Sequence, residues 1–444
     1  MRRNIIRDLG DGLILRRATG EDTEDLVAFH GDVHRDPGMD EPERFVAAWV
    51  RDLMERPHPT FQPGDFTVVE DTATGDIVSS LCLISQTWAY EGIEFGVGRP
   101  ELVGTQPDYR RRGLVRAQME VIHQWSAERG EKVQAITGIP YYYRQFGYEM
   151  TMTLGGGRGG FAGNVLKLKE GEPEPYLVRP ATGSDLPFIA QVYQEGASRW
   201  PVVCVRDEAL WRYELNGMSH ESVSRRDLCI VETPEGEPVG FISRAPRLWQ
   251  GRVGIGAYEL KPGVSWLDVT PSIMRHLWSQ GQAWARDDPE QALETFAFWL
   301  GAEHPALELF ERRLPQFMRP YAWYLRVPDL AGFLQHIGPA LERRLAASLL
   351  RSYAGEFKIS FYRDGLQLCF EAGRLVGVEP WQPTHDEDGD AGFPGLTLLQ
   401  LVFGYRTVRE LDGAFPDCWT ANDGARVLLD ALFPKQASDV WPVS

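Results

Sequence analysis

The sequence predicts an α/β protein of mixed sheets, in which one strand–helix unit occurs twice and a smaller α+β domain follows. Three observations predict it. Short apolar strands alternate with amphipathic helices across the first third. The segment Leu15-Arg16-Arg17-Ala18-Thr19-Gly20-Glu21-Asp22 returns roughly 160 residues later as Val178-Arg179-Pro180-Ala181-Thr182-Gly183-Ser184-Asp185, and Val69-Glu70, Gly75 and Val78 return at nearly the same offset as Val231-Glu232, Gly236 and Val239. The last third places helical periodicity on either side of a hairpin at Arg363-Asp364-Gly365.

A chain of 444 residues is long enough for about three domains. With 43% hydrophobic and 25% charged residues, its composition is that of a globular protein. Lys and Arg number 46 against 63 Asp and Glu, a net charge of −17. That balance argues against a nucleic-acid partner, which needs a basic face. It accords with a cationic one. Cysteines at 82, 204, 229, 369 and 418 form no CxxC pair, so neither a zinc site nor a disulfide framework is expected. Met1 to Gly20 has no apolar signal core, and no apolar run approaches about 18 residues. The expectation is a cytoplasmic chain with no membrane partner.

Leu13 to Ala18 reads as a strand, and Thr19-Gly20-Glu21-Asp22 caps a helix through Leu26, Val27 and Phe29. A polar region follows, with His30, Asp32, His34, Asp36 and Asp40, and then a second helix near Glu43 to Met54. The spacing matches no standard metal site, so it reads as a solvated helix–loop face. Phe66 to Glu70 and Ile77 to Ile84 are strands joined by a turn over Asp71 to Asp76. Ile93 to Val97 is another strand, and Lys132 to Thr137 follows a helix that runs to about Glu128. The order is β-α-α-β-β-β-α-β.

The candidate site lies inside that unit. Val103-Gly104-Thr105-Gln106-Pro107-Asp108-Tyr109-Arg110-Arg111-Arg112-Gly113-Leu114-Val115-Arg116 reads as strand, turn, basic glycine loop and helix. Such a junction offers free backbone N–H groups and a positive helix end to a pyrophosphate. Gly113 lets the backbone come close, and Arg110, Arg111 and Arg112 can pair with phosphate oxygens. Some thirty residues on stands Tyr141-Tyr142-Tyr143-Arg144-Gln145-Phe146-Gly147-Tyr148.

The second copy has Tyr258-Glu259-Leu260-Lys261-Pro262-Gly263-Val264-Ser265 where the basic loop should fall, so it reads as non-catalytic. Gly155 to Asn164 is rich in glycine and reads as a flexible linker. In the last third, Asp329 to Leu350 has helical spacing, Glu356 to Tyr362 and Leu366 to Glu371 form a hairpin, and Leu396 to Phe403 and Ala425 to Leu432 are helices. Their apolar faces read as core. His385 to Asp390 lacks the calcium-loop register and reads as an acidic surface loop. The expected units are 1–160, 176–327 and 328–444.

The two stretches of the first unit resemble the GCN5-related N-acetyltransferase (GNAT) superfamily. Its loop, Arg/Gln-x-x-Gly-x-Gly/Ala, is matched by Arg110 and Gly113, with Val115 where a small residue is usual. Its Tyr-x-x-x-Gly-Phe/Tyr signature is matched by Tyr143, Gly147 and Tyr148. A degenerate second copy and a tail similar to the sterol carrier protein-like fold extend the resemblance to the enhanced intracellular survival (Eis) family. The resemblance implies acetyl-CoA as donor and an amine acceptor, either a small polycation of aminoglycoside type or a lysine side chain. It implies a homo-oligomer, a hexamer in that family. It implies acetyl-CoA contacts from Leu102, Val103, Gly104 and Thr105, and from Arg110, Arg111, Arg112, Gly113, Leu114 and Val115. Backbone N–H groups near Val103 and Thr105 can bind the thioester oxygen. Tyr143 becomes the candidate general acid. The family's C-terminal carboxylate, which helps deprotonate the amine, falls on Ser444, although this chain ends in serine where relatives end in an aromatic residue. The competing reading is a non-enzymatic module that binds acyl-CoA or lipid.

Overall fold

The computed structural model describes residues 4–441 apart from 39, 140, 289, 290 and 302. The first unit runs β1 (Ile5–Gly10), β2 (Leu13–Arg17), α1 (Thr23–Val33), α2 (Arg44–Glu55), β3 (Phe66–Asp71), β4 (Ile77–Tyr90), β5 (Ile93–Thr105), α3 (Leu114–Glu128), β6 (Val133–Ile136) and β7 (Glu149–Leu154). The expected order is present, with β1 added as an exposed hairpin strand that has no apolar pattern to announce it. Strand alternation assigns the two faces. Leu81 and Leu83 pack with Leu114, Met119, Ile122 and Trp125 of α3. Cys82 and Ile84 pack with Leu26 and Phe29 of α1 and Trp49, Val50 and Leu53 of α2.

The chain continues through β8 (Gly157–Gly160), β9 (Leu177–Pro180), α4 (Leu186–Ala197), β10 (Val202–Cys204), α5 (Glu208–Asn216), β11 (Asp227–Glu232), β12 (Pro238–Arg244), β13 (Arg252–Leu260), α6 (Trp266–Asp287), β14 (Thr295–Phe298), α7 (Pro305–Leu309), β15 (Gln316–Met318) and β16 (Tyr321–Arg326). The last third holds α8 (Leu330–His336), α9 (Gly338–Ala346), β17 (Gly355–Ser360), β18 (Gly365–Glu371), β19 (Arg374–Trp381), β20 (Ala391–Gly392), α10 (Leu398–Val402), α11 (Val408–Ala414), β21 (Trp419–Thr420) and α12 (Asp423–Leu432). The helix expected over 329–350 breaks in two at Gly338-Pro339, where proline starts a new first turn.

Three sheets result. The first is ordered β1-β2-β3-β4-β5-β6-β16-β7, with β10 on β4; the second is β15-β8-β14-β13-β12-β11-β9; the third is β19-β18-β17-β20-β21. Two strands cross the expected boundaries at 160 and 327. β8 pairs with β14 and β15 of the second sheet, and β16 lies between β6 and β7 of the first. Cutting the chain at those points would therefore take a strand from each sheet.

The linker reading of the glycine run is corrected by the same pairing. Gly157, Gly159 and Gly160 lie in strand β8, and side chains there have no room. A Cβ would fall 2.0 Å from the Phe298 carbonyl oxygen at Gly157, 2.7 Å from that of Phe296 at Gly159, and 2.7 Å from the Phe296 ring at Gly160. Close backbone approach, not flexibility, calls for glycine here.

The repeat is visible as one ion network built twice. Arg16 donates to Glu70 at 2.8 Å and to both oxygens of Asp22 at 2.6 and 2.9 Å, and Thr19 N–H donates to Asp22 at 2.7 Å. Arg179 donates to Glu232 at 2.8 Å and to both oxygens of Asp185 at 2.9 Å, and Thr182 N–H donates to Asp185 at 2.7 Å. In each copy the arginine ties the first strand to its partner strand and to the turn that starts the first helix.

The last third shares a core with the first sheet. Trp88, Phe95 and Trp323 pack in one cluster with Phe333, Leu341, Phe357, Leu399 and Phe403. The apolar helices there fill a core, as the periodicity indicates. Tyr90 O–H donates to Val402 O at 2.7 Å across the same boundary.

The two networks differ in exposure, which sets their cost of disruption. The Arg16 side chain is 6% exposed and that of Arg179 is 36% exposed. Arg16→Met removes the guanidinium that pairs with two buried carboxylates and should cost about 3–5 kcal/mol. Arg179→Met should cost clearly less. Urea-unfolding midpoints of the two variants beside the parent check the order.

Candidate active site

The site begins with a defect in strand pairing. Along β4 and β5, Ser80 faces Gly104 while Cys82 faces Glu101, so Leu102 and Val103 together oppose Leu81. This is a β-bulge, with Leu102 held at φ +54°. On its other side β5 pairs in parallel with β6 only at Val97–Val133 and Gly98–Gln134. Beyond those pairs the carboxyl ends separate. Ligands of open α/β sheets bind at such ends. The gap is a cavity of about 870 Å³.

Both sequence stretches line this cavity. From β5 come Leu102, Val103, Gly104 and Thr105; from the loop and helix come Arg110, Arg111, Gly113, Leu114 and Val115; from beyond β6 comes Tyr143. Arg112 does not join them. Its guanidinium lies 5.0 Å over the Tyr109 ring, and Tyr109 O–H donates to Asp71 at 2.7 Å. Ser444 lies outside the described residues.

The loop has the form an anion needs. Arg111 and Gly113 both take left-handed backbone, φ +64° and +79°, which turns successive N–H groups the same way. Gly113 is the N-cap of α3, no side chain caps the helix, and its first turn has no acidic residue. The second copy differs on each count. Ser265 caps α6 and accepts from Asp268 N, and Asp268 puts a carboxylate in the first turn. The sequence reading of that copy as lacking the loop thus has a structural counterpart. Arg116 joins the two stretches, donating to Gln145 Oε1 at 2.9 Å and lying 5.1 Å over the Phe146 ring.

Tyr143 sits on a short turn, Tyr142–Phe146, that Gly147 ends at φ +88°. It is 5% exposed and meets Tyr142 edge-on at 5.2 Å. A Cβ on Gly138 would stand 3.3 Å from its ring and 3.5 Å from its hydroxyl, so glycine keeps that approach open. Burial pushes the Tyr143 phenol well above its usual range, and the Glu101 carboxylate pushes the same way. The phenol therefore stays protonated near neutral pH and has a proton to donate. Tyr148, at the end of the signature, is buried and hydrogen-bonded to His123 Nε2 at 2.8 Å.

Two lining residues escaped the sequence reading. Glu101 stands at the edge of the bulge, ion-paired with Arg99. No pattern in a single sequence marks it. His34 follows α1 and also lines the cavity. The polar region that holds it has the spacing of a solvated face, although the family resemblance implies that it lines the acceptor site; neighbouring His30 is fully buried, with its Nε2 3.3 Å from Ser80 Oγ. Burial draws this face of α1 against β4 and β5.

Gly113→Val would place a branched residue at φ +79°, with nothing within 4 Å to clash. The expected cost is backbone strain of roughly 1–2 kcal/mol in stability, with weaker binding of inorganic pyrophosphate. Thermal unfolding with and without pyrophosphate checks both.

Residues 15–151 match the family model described as an acetyltransferase (GNAT) domain. No curated protein matches the chain in sequence. Among solved structures, a GCN5-related N-acetyltransferase from Kribbella flavida is 18% identical, with a TM-score of 0.63 over 96% of this chain and 97% of that one. A probable N-acyltransferase from Enterococcus faecalis is 13% identical, with a TM-score of 0.62 over 96% of this chain and 97% of that one. Eis1 from Mycobacterium abscessus is 14% identical, with a TM-score of 0.56 over 97% of this chain and 99% of that one. At such identities the likeness is one of fold. Residues 15–151 are thus identified with the acetyltransferase (GNAT) domain family, and the fold of the chain resembles that of Eis1.

Proposed function

We propose that the protein is an acetyl-CoA-dependent N-acetyltransferase that acts by direct attack of an amine on the thioester. The observation that carries this reading is the convergence of the basic loop, the bulge and Tyr143 on one cavity. Backbone N–H groups of the loop and of the α3 N-terminus, with Arg110 and Arg111, would hold the pyrophosphate. The carbon chain of the cofactor would run between the parted strands to the bulge. Backbone N–H groups near Val103 and Thr105 would stabilise the thioester oxygen as it takes on negative charge. Tyr143 would donate a proton to the departing sulfur. A free thiol has a pKa of about 8.5 and a phenol about 10, and burial widens that gap. A concerted transfer, in which the amide nitrogen's proton replaces the one Tyr143 gives up, avoids a free phenolate.

The acceptor in this reading is a small polycationic amine of aminoglycoside type or an exposed lysine. Glu101 at the cavity and the net charge of −17 support a cationic acceptor. The last third would be a sterol carrier protein-like domain that serves as scaffold, and the assembly a homo-oligomer, a hexamer by analogy of fold. The tail favours a role near the site: Trp323 Nε1 donates to Val440 O at 3.0 Å, and Arg99, which pairs with Glu101, lies 5.4 Å over the Trp323 ring. By the resemblance to the Eis family, the Ser444 carboxylate is a further candidate group for the amine end.

Free-thiol release from acetyl-CoA, measured across aminoglycosides, polyamines and lysine peptides, tests the reading. Tyr143→Phe should lower amine-dependent kcat by about ten-fold or more and leave acetyl-CoA affinity unchanged. An unchanged kcat would remove Tyr143 as the acid. Bound acetyl-CoA with no release for any amine would favour the acyl-CoA-binding module instead. Replacing Arg110 and Arg111 together by alanine should raise the acetyl-CoA KM by roughly ten-fold or more, most at low salt, with kcat retained.

A further inference from the structure

The amine end of the reaction needs a proton acceptor, because an alkylammonium has a pKa near about 10.4 and cannot attack until it is neutral. Among the described residues of the cavity wall, His34 offers a group in the right chemical state. The carboxyl end of α1 packs onto the bulge: a Cβ on Gly104 would stand 2.7 Å from Val33 Cγ2 and 3.2 Å from Phe29. His34, the next residue after α1, therefore stands on the β5 side of the cavity beside the bulge. Tyr143 stands on the β6 side, against Gly138. A thioester held at the bulge would lie between them.

The hydrogen bonding of His34 defines its tautomer. Its Nδ1 lies 3.1 Å from the carbonyl oxygen of His30. A carbonyl only accepts, so Nδ1 carries the hydrogen and Nε2 keeps its lone pair. Burial lowers the His34 pKa, with the bond to His30 O opposing, so the ring is neutral near pH 7. The charged groups around it are occupied elsewhere. Asp32 and Arg35 pair with each other at 3.8 Å on the outer side of α1, and Glu101 is tied to Arg99. Arg110 and Arg111 line the same cavity from the pyrophosphate loop. The His30 ring, 5.3 Å away, is itself held neutral by its burial.

We propose that His34 Nε2 is the general base that takes the proton from the acceptor's ammonium group. The inference rests on the acetyltransfer reading above and adds a catalytic residue to it. The protons balance. The ammonium gives one proton to Nε2. The neutral nitrogen attacks the thioester carbon, the C–N bond forms and the C–S bond breaks. Tyr143 protonates the sulfur and regains a proton from the new amide nitrogen. His34 releases its proton to water.

The test compares the parent with His34→Asn, in which the side-chain amide can still donate to His30 O but no lone-pair nitrogen remains. Thiol release is measured at neutral pH with an alkylamine, which is protonated there, and with hydroxylamine, which is not. Acetyl-CoA binding and the thermal midpoint are measured alongside. A base at His34 predicts a loss of about ten-fold or more in kcat with the alkylamine and a far smaller loss with hydroxylamine, so the ratio between the two amines changes. Equal losses with both amines would reduce His34 to a positioning residue and overturn the proposal. No loss with either would also overturn it and move the base elsewhere; a chain ending at Trp441 would then test the Ser444 carboxylate. If the parent releases no thiol with any amine, the acetyltransfer reading fails first, and the proposal with it. If His34→Asn melts well below the parent, His34→Gln takes its place under the same expectations.

Discussion

The parting of β5 from β6 is the constraint on which the rest of the site depends. Two parallel strands that pair at only two positions cannot satisfy their backbone groups with each other beyond Gly98 and Gln134. The space they leave must be filled by side chains or by a ligand. In the first unit the walls are the bulge at Leu102–Val103, the basic loop and the Tyr142–Phe146 turn. The bulge breaks the register of β5 against β4, and residues 111 and 113 take left-handed backbone in the loop that lines the gap. Burial raises the Tyr143 pKa on one wall of the cavity and lowers that of His34 on the other. One pairing defect thus brings the basic loop, the bulge, Tyr143 and His34 to one cavity.

The second unit repeats the topology without the open cleft. Its strands β13 and β14 stay paired over four residues, from Arg252 to Ile255 on β13. Past them, Gly256 faces the Trp441 indole, with 3.4 Å left for a Cβ. Tyr258 stacks on His304, and Trp266 meets both rings edge-on. Ser265 and Asp268 satisfy and oppose the helix end that would otherwise attract an anion. The retained Arg179–Asp185–Glu232 network keeps the fold, while these changes close the cleft.

The units are joined by exchange rather than by linkers. β16 completes the first sheet, β8 completes the second, and β10 borrows the end of β4. The C-terminal segment closes the junction. Asp439 bridges to Val203, Val440 O accepts from Trp323, and Trp441 O accepts from Arg206 at 3.1 Å. The segment is buried enough that the Asp439 carboxyl is pushed up to about 6 by desolvation. A tail held this way needs the first sheet, the second unit and the last third all in place.

Local features were legible in the sequence. The repeat is carried by side chains with the same task in each copy, and Arg16, Asp22 and Glu70 return as Arg179, Asp185 and Glu232 because one ion network recurs. Gly113 and Gly147 could be read because positive φ has few alternatives to glycine. Arg110 and Tyr143 could be read because their spacing to those glycines is short. The rest depends on non-local pairing. Gly157 to Gly160 looks like a linker until Phe296 and Phe298 of β14 come within reach. Arg112 cannot be told from its two neighbours until Tyr109 takes it out of the cavity. Glu101 and His34 have no local mark, because what brings them to the site is a bulge in register between β4 and β5 and the packing of α1 upon it. Sequence by itself determined the turns, the loop chemistry and the duplication, since each is set within a few neighbouring residues or by repetition. Tertiary structure alone decided which side chains share the cavity, since that follows from strand register across distant segments.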